Sequence, residues 1–351
     1  VAGGSLGVYY AFIQFAGFTI GKAVSQFSAP WVAYPGNTTF DGLVGGGGSV
    51  TGVNQFTYTA EFGNGVSASI GAQDSTGYFQ AGVNNLGVGT IGVSGYGSSD
   101  YAGTATPDVV GMLRVDQAWG LFQASFAAHD NNAAYYGASS ATGGPADKWG
   151  WAGQLALSIK NIPTGAGDSI NVQGVYTDGA TRYNIQDLAS GAGSVLMYGG
   201  GSAFAGALGG VGWAYAPDSV FGPGGSQQLV QTWGMRGAFN HNWNPYWSSS
   251  LYGAYAAVHF TDEAKALICG AASMGGLTTC NPDYNIAQIG ANLRWTPVKN
   301  LTFTAEGLYT MLDQKNSGLV AAGGSNAVPA GVYEAKDQNI WTVMLRAQRN
   351  W

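Results

Sequence analysis

Four arginines stand out by position rather than number. Arg114, Arg236, Arg294 and Arg346 each fall in the middle of a segment whose residues alternate between apolar and polar. In an extended chain, successive side chains point to opposite faces. All four share the parity of Thr, Ser, Gln and Asn rather than that of Leu, Val and Trp, and Glu61, Asp116 and Glu306 share it too. A cation on an oily face near the middle of a bilayer would cost roughly 2–4 kcal/mol. Parity therefore turns these groups toward a wet interior. Asp41 is the only acid in the segment 27–53. If that segment faces the basic wall, the arrangement makes a transverse field that acts on solutes by charge. The plainer alternative is that one or two arginines merely pair with Glu61, Asp116 or Glu306 beneath a loop. Lys22 breaks the pattern, because it shares the parity of Phe18 and Ile20. It must sit at a subunit contact or under a folded loop.

The chemistry of bond breaking finds little support. The histidines are His129, His241 and His259. His129 has Asp130 beside it, but neighbours on a strand face opposite ways. His241 lies on the apolar parity near Trp243, where an interfacial role fits better than a triad. The glycine run Gly45–Gly48 lacks the lysine and following helix of a phosphate cradle. Cys269 and Cys280 have only His259 and Asp262 nearby, at a spacing that matches no zinc pattern. A loop-closing disulfide in an oxidising compartment is the expectation, with two free thiols as the alternative. No enzyme, metal site or cofactor is expected.

Composition says what kind of scaffold carries these groups. Of 351 residues only 9% are charged, against about 25% in an ordinary soluble domain. Glycine occurs 58 times and aromatics make up 13%, with 11 Trp and 19 Tyr. Mean hydropathy is +0.03, too low for a bundle of membrane helices. Net charge is −6 and no run of Lys or Arg exists, which argues against a nucleic-acid partner. The uncharged stretch between Asp187 and Asp218 is long enough to span a bilayer, but its 195–216 portion holds seven glycines and reads as a loop. No leader is visible at Val1, so either one was removed or the chain begins inside a longer one.

The elements follow from period-two alternation. In 54–74, Phe56, Tyr58, Ala60 and Phe62 oppose Gln55, Thr57, Thr59 and Glu61, and a Gly63-Asn64-Gly65 turn leads into a second alternating run. The same pattern predicts 13 strands, at about 6–15, 18–27, 54–62, 66–74, 109–119, 120–130, 149–160, 169–183, 229–243, 247–260, 284–297, 301–313 and 338–351. Short turns alternate with long connections at about 27–53, 75–108, 131–148, 184–228, 261–283 and 314–337. Strands of about ten residues with loops segregated in this way describe a transmembrane, antiparallel, up-and-down β-barrel. Trp119, Trp149, Trp151, Trp243, Trp247, Trp295, Trp341 and Trp351 lie near strand ends, where aromatic girdles form.

Several of these segments carry a resemblance. YYAFIQFAGFTIGKAVSQFSAPW (9–31), FTYTAEFGNGVSASIGAQD (56–74), DVVGMLRVDQAWGLFQASFAAHD (108–130) and WTVMLRAQRNW (341–351) are similar to alphaproteobacterial porins of the rhizobial type. The likeness covers the strands, while the long loops diverge. It implies a sixteen-stranded barrel, a trimer, and a third loop (here 27–53) folded into the pore. Trp351 stands where that family ends in Phe. Thirteen strands is an odd count, and the resemblance implies three more ahead of Val1, with the strands at 6–15 and 338–351 not paired to each other. The expected function is passive diffusion of small hydrophilic solutes and ions across a bacterial outer membrane. Its partners would be lipid, lipopolysaccharide and two further copies of the chain. A solute-selective porin, a non-conducting surface or adhesin barrel and an outer-membrane enzyme are the alternatives.

Overall fold

A computed structural model describes residues 7–31, 34–40, 42–47, 51–87, 101–137, 139–186, 195–200, 209–270, 274–322 and 330–350. Its frame is one antiparallel sheet of thirteen strands in sequence order. They are β1 Ala11–Phe15, β2 Phe18–Ala23, β3 Val53–Gly63, β4 Val66–Gln73, β5 Asp108–Gln117, β6 Gly120–Asn131, β7 Lys148–Lys160, β8 Ser169–Asp178, β9 Gln231–Asn244, β10 Trp247–His259, β11 Tyr284–Val298, β12 Leu301–Gln314 and β13 Gln338–Arg349. Every neighbour in this order pairs with the next, and among the described residues β1 and β13 form no ladder with each other.

The two faces obey the alternation. Phe56, Leu113, Phe126, Leu155, Tyr176, Met235, Leu251, Ile289 and Val343 are exposed on the outer face. Gln55, Ser69, Gln123, Gln154, Gln173, Arg236 and Gln288 are buried on the other. Tight turns join strands at one end. Ala16-Gly17 and Asn64-Gly65 adopt positive φ, as the right-handed twist of a two-residue hairpin demands. Lys22 lies on the outer face and its Nζ donates to the Val8 carbonyl at 2.8 Å.

The long connections converge at the other end, and here the sequence reading needs correcting. The glycine-rich 195–216 portion is not loop throughout. It contains the strands Val195–Gly200 and Gly210–Tyr215, which pair with each other and extend into a five-stranded sheet with Gly331–Ala335, Ser317–Ala322 and Leu277–Thr279. A three-stranded sheet adds Gln228–Leu229, Ser219–Phe221 and Val83–Asn85. A helix, α1 (Asp262–Cys269), is capped by the Thr261 side chain. The Cys269–Cys280 disulfide, with Cα atoms 5.8 Å apart, ties α1 to the short strand Leu277–Thr279. The long connections thus build a roof with its own core.

That core reaches inside the sheet. Val211, Trp213, Tyr215, Val220 and Phe260 of the roof pack with Leu43 and Val44 of the 24–52 connection and with inward-facing Ala254, Ala256, Ile286, Leu308 and Leu312. The enclosed space is not uniformly wet, contrary to what the polar faces of β3–β8 suggest. Toward the roof, the inward residues Ala254, Ala256, Ile286, Leu308 and Leu312 of β10–β12 are themselves apolar, so water has little to solvate there.

Candidate functional site: a loop seated inside the sheet

The connection between β2 and β3 lies against the enclosed face from β6 round to β13. At its start, Gln123 of β6 donates to the Phe27 and Ser28 carbonyls (3.3 and 3.0 Å) and Gln154 of β7 donates to that of Phe27 (2.8 Å). Trp31 donates its indole N–H to Gln173 of β8 at 2.7 Å. Asn171 reaches the Pro35 carbonyl at 2.7 Å and Asn292 of β11 the Gly36 carbonyl at 2.9 Å. Glu306 of β12 accepts from the Thr38 amide at 3.0 Å, and Arg346 of β13 donates to the Thr38 carbonyl. Gln288 of β11 takes the Val44 amide at 2.9 Å and gives to the Gly42 carbonyl at 3.2 Å. One short segment can touch one face of strands so far apart only if the sheet curls around it.

Gly45 shows how close the fit is. Its φ is +86°, and a Cβ there would lie 2.2 Å from the Met235 carbonyl oxygen of β9. A side chain is excluded both by space and by backbone conformation.

The charged residues singled out by parity fall into two groups. Arg236 is buried and donates to the Leu43 carbonyl at 3.3 Å. Arg294 donates to Ser250 at 2.8 Å and is separated from Arg346 by Thr304 in the ladder. Together with Glu306 these three hold backbone or neighbouring side chains on the β9–β13 side. Arg114 and Glu61 stand apart. They face a void of about 770 Å³, with Gln14, Thr19, Gln26 and Ser67. Ser67 pairs with Glu61 on one side and Arg114 on the other, so acid and base are two strand spacings apart, roughly 10 Å. Arg114 is steadied by Gln123 at 2.9 Å. Asp116 lies at the turn end in an exposed contact with Lys160 at 3.3 Å. Asp41 lies outside the described residues.

Two sets of residues escaped the sequence reading. The first is the series of inward glutamines, whose amides supply both a donor and an acceptor to the loop backbone. Their repetition on the polar parity was the available signal. The second is a buried cluster beneath the roof. His129 Nδ1 is 2.7 Å from Asp108 and Nε2 is 3.4 Å from Asp218, with all three side chains fully buried. Counting back from the tight β5–β6 turn brings Asp108 opposite His129, so half of that cluster was readable. His259 is 3.8 Å from Asp283. His241 sits 2.6 Å from Asp168 and edge-on to Trp243. The Thr164 hydroxyl foremost, with the Asn242 amide and His241, holds the Asp168 carboxyl down at about 2. Among the described residues no group of three or more His, Cys, Asp or Glu side chains could hold a metal ion.

The sheet, its oily exterior and its polar interior match a known class. A profile of the porin subfamily matches residues 2–344. The chain belongs to that porin subfamily. In fold it is similar to the outer membrane channel DcaP of Acinetobacter baumannii, at 16% identity over 98% of this chain and 75% of that one, with a TM-score of 0.57. OmpT, an outer membrane protein of Vibrio cholerae, aligns over 95% of this chain and 76% of its own at 10% identity and a TM-score of 0.44. No curated protein matches the chain. The porin is an all-β protein of the outer membrane, and its fold class is the antiparallel transmembrane β-barrel. Its role is transport.

Proposed function

We propose that this porin is a passive diffusion channel for small hydrophilic solutes and ions, narrowed by the connection between β2 and β3. The observation that carries the reading is the polar void beside β1–β5, lined by Gln14, Thr19, Gln26, Glu61, Ser67 and Arg114. Elsewhere along the wall the loop backbone occupies the inward side chains. Solutes would therefore move along one side of the interior, past one acid and one base, rather than through its centre. Arg236, Arg294, Arg346 and Glu306 act in this reading as seats for the loop, while Glu61 and Arg114 set the local field. The functional unit is proposed to be a homotrimer of sixteen-stranded barrels, in contact with lipid and lipopolysaccharide.

Planar-bilayer recording tests the proposal. Sustained conductance with a reversal potential that moves toward cation preference in Arg114→Ala, and toward anion preference in Glu61→Gln, is the expected result. A wild-type protein that inserts and never conducts would favour a non-conducting surface barrel. A channel whose selectivity ignores both substitutions would place the solute path elsewhere.

A further inference from the structure

Residues 209–222 are buried without a break. This segment crosses the mouth of the sheet. At one side Gln314 of β12 donates to the Val211 carbonyl at 3.0 Å, and Gly212 lies against Leu312 and Gln338. At the other, Asp218 meets His129 of β6. The first attachment is a broad apolar contact. At the second, the Asp218 carboxylate is the ionisable member of a joint that also holds the Thr181 hydroxyl bond to the Pro217 carbonyl at 2.8 Å and the ladder of Ser219–Phe221 with Val83–Asn85.

Asp218 gathers four elements. Its Oδ2 accepts from the Ala81 amide at 2.6 Å and from Gln80 Nε2 at 3.0 Å, and its Oδ1 accepts from the Thr181 amide at 2.6 Å. His129 Nε2 stands 3.4 Å away. The roof, the 74–87 connection, the turn after β8 and the wall are all joined at this point. The Ala81 and Thr181 amides and the Gln80 Nε2 are all donors to the carboxylate, so the ionised acceptor-only form is the one that fits. We propose that Asp218, with His129 and Asp108, is a proton-operated latch that holds the roof over the mouth of the channel. The proposal rests on the channel reading above.

The groups facing His129 are few. Asp108 comes from β5, Asp218 from the roof, Asp130 follows on β6 and acts electrostatically on both His129 and Asp108, and Tyr183, from the turn after β8, stands edge-on with ring centroids 6.3 Å apart. The Tyr183 hydroxyl donates to Asp108 and receives Gln73 Nε2 at 2.9 Å. Arg182 gives its Nη1 to the Gln80 carbonyl at 3.2 Å. The 74–87 connection offers the carboxylate only the neutral Gln80 amide and the Ala81 N–H. With His129 charged, its two carboxylates leave the triad one negative charge in excess. A proton taken up from an acidic exterior goes to a carboxylate. At Asp218 it turns an acceptor into a donor facing other donors, and it removes the attraction for His129. The joint to the wall is loosened at that end, the Ser219–Phe221 segment moving together with its ladder partner Val83–Asn85, while the apolar attachment to β12 remains as the hinge.

Asp218→Asn copies the protonated group in shape and in donor character. The experiment compares wild type and Asp218→Asn by amide exchange of peptides covering 75–87 and 209–222, and by bilayer conductance, at about pH 7.5 and about pH 4. In the variant at neutral pH, exchange in both peptides should rise at least about tenfold, with the strands still protected, and conductance should increase. Acid should then change the wild type and leave the variant unmoved. His129→Gln, which keeps much of the ring's volume, should give the same release if Asp218→Asn does not fold. Unchanged roof exchange in a folded variant, or an acid response equal in variant and wild type, overturns the latch. Faster roof exchange without conductance in any variant would uphold the latch and overturn the channel reading.

Discussion

The two halves of the enclosed face solve opposite problems. Along β9–β12 the interior is filled: Ala254, Ala256, Ile286, Leu308 and Leu312 meet Leu43, Val44 and the roof residues in a dry core. Along β1–β5 it is open, and Thr19, Ser67, Glu61 and Arg114 meet a void. A barrel wall needs no interior core to be stable, because its backbone is paired and its outside is solvated by lipid. The packed half therefore fixes a loop and a roof, and in the proposed channel the open half is left for solutes. Stability and selectivity should separate between the halves, and substitutions can test that separation.

The largest effect is expected from Ile286→Ala. Ile286 is fully buried in the packed half, and loss of such a side chain costs about 2–5 kcal/mol. Urea unfolding should show this drop while the reversal potential of the folded fraction stays put. Next comes Glu306→Gln, on the seam between halves. Glu306 is buried and takes both the Thr38 amide and Asn292, so weakening these charge-assisted bonds should cost about 1.5–3 kcal/mol. Single-channel conductance should become noisier as the loop loses its seat. Arg114→Ala, in the open half, should change stability by no more than about 0.5 kcal/mol while altering ion selectivity severalfold. A large loss of stability there would erase the distinction between the halves.

The smallest effect concerns the turn between β7 and β8, outside both halves. The Asp168 carboxyl is held at about 2, below its unfolded value. A depressed carboxyl stabilises the fold above the unfolded pKa, and that contribution fades as pH falls through about 2. The fluorescence of Trp243, which packs edge-on to His241 at 4.3 Å, should hold steady in acid until near that value in the wild type. In Asp168→Asn it should lack this transition.

The frame was legible because strand alternation is local. Each of the thirteen predicted segments corresponds to a strand of the sheet, and the inward parity of Arg114, Arg236, Arg294 and Arg346 follows from counting by twos. What those arginines touch was not legible, because it depends on a loop more than a hundred residues away for Arg236 and Leu43. The roof strands were hidden for a different reason. Val195–Gly200 and Gly210–Tyr215 are rich in glycine, and the second buries all its residues in succession, so no alternation marks them. Asp218 looked like one acid in a loop, and only tertiary folding brings three donors and His129 around it.

The glutamines of β6, β7, β8 and β11 give the seated loop a property that an ion-paired loop would lack. Gln123, Gln154, Gln173 and Gln288 grip backbone carbonyls, a backbone amide and an indole N–H through neutral amide groups. Salt screens exposed charges within a Debye length of about 10 Å at 0.1 M, but it has little hold on short contacts between neutral groups. If the loop narrows the channel as proposed, a bacterium moving between dilute water and brine would keep the same aperture while the field of Glu61 and Arg114 strengthens or fades. In the proposed channel these neutral contacts, together with the buried grips of Arg236 and Glu306, would hold the calibre as salinity changes, while the field of the residues facing the void is retuned.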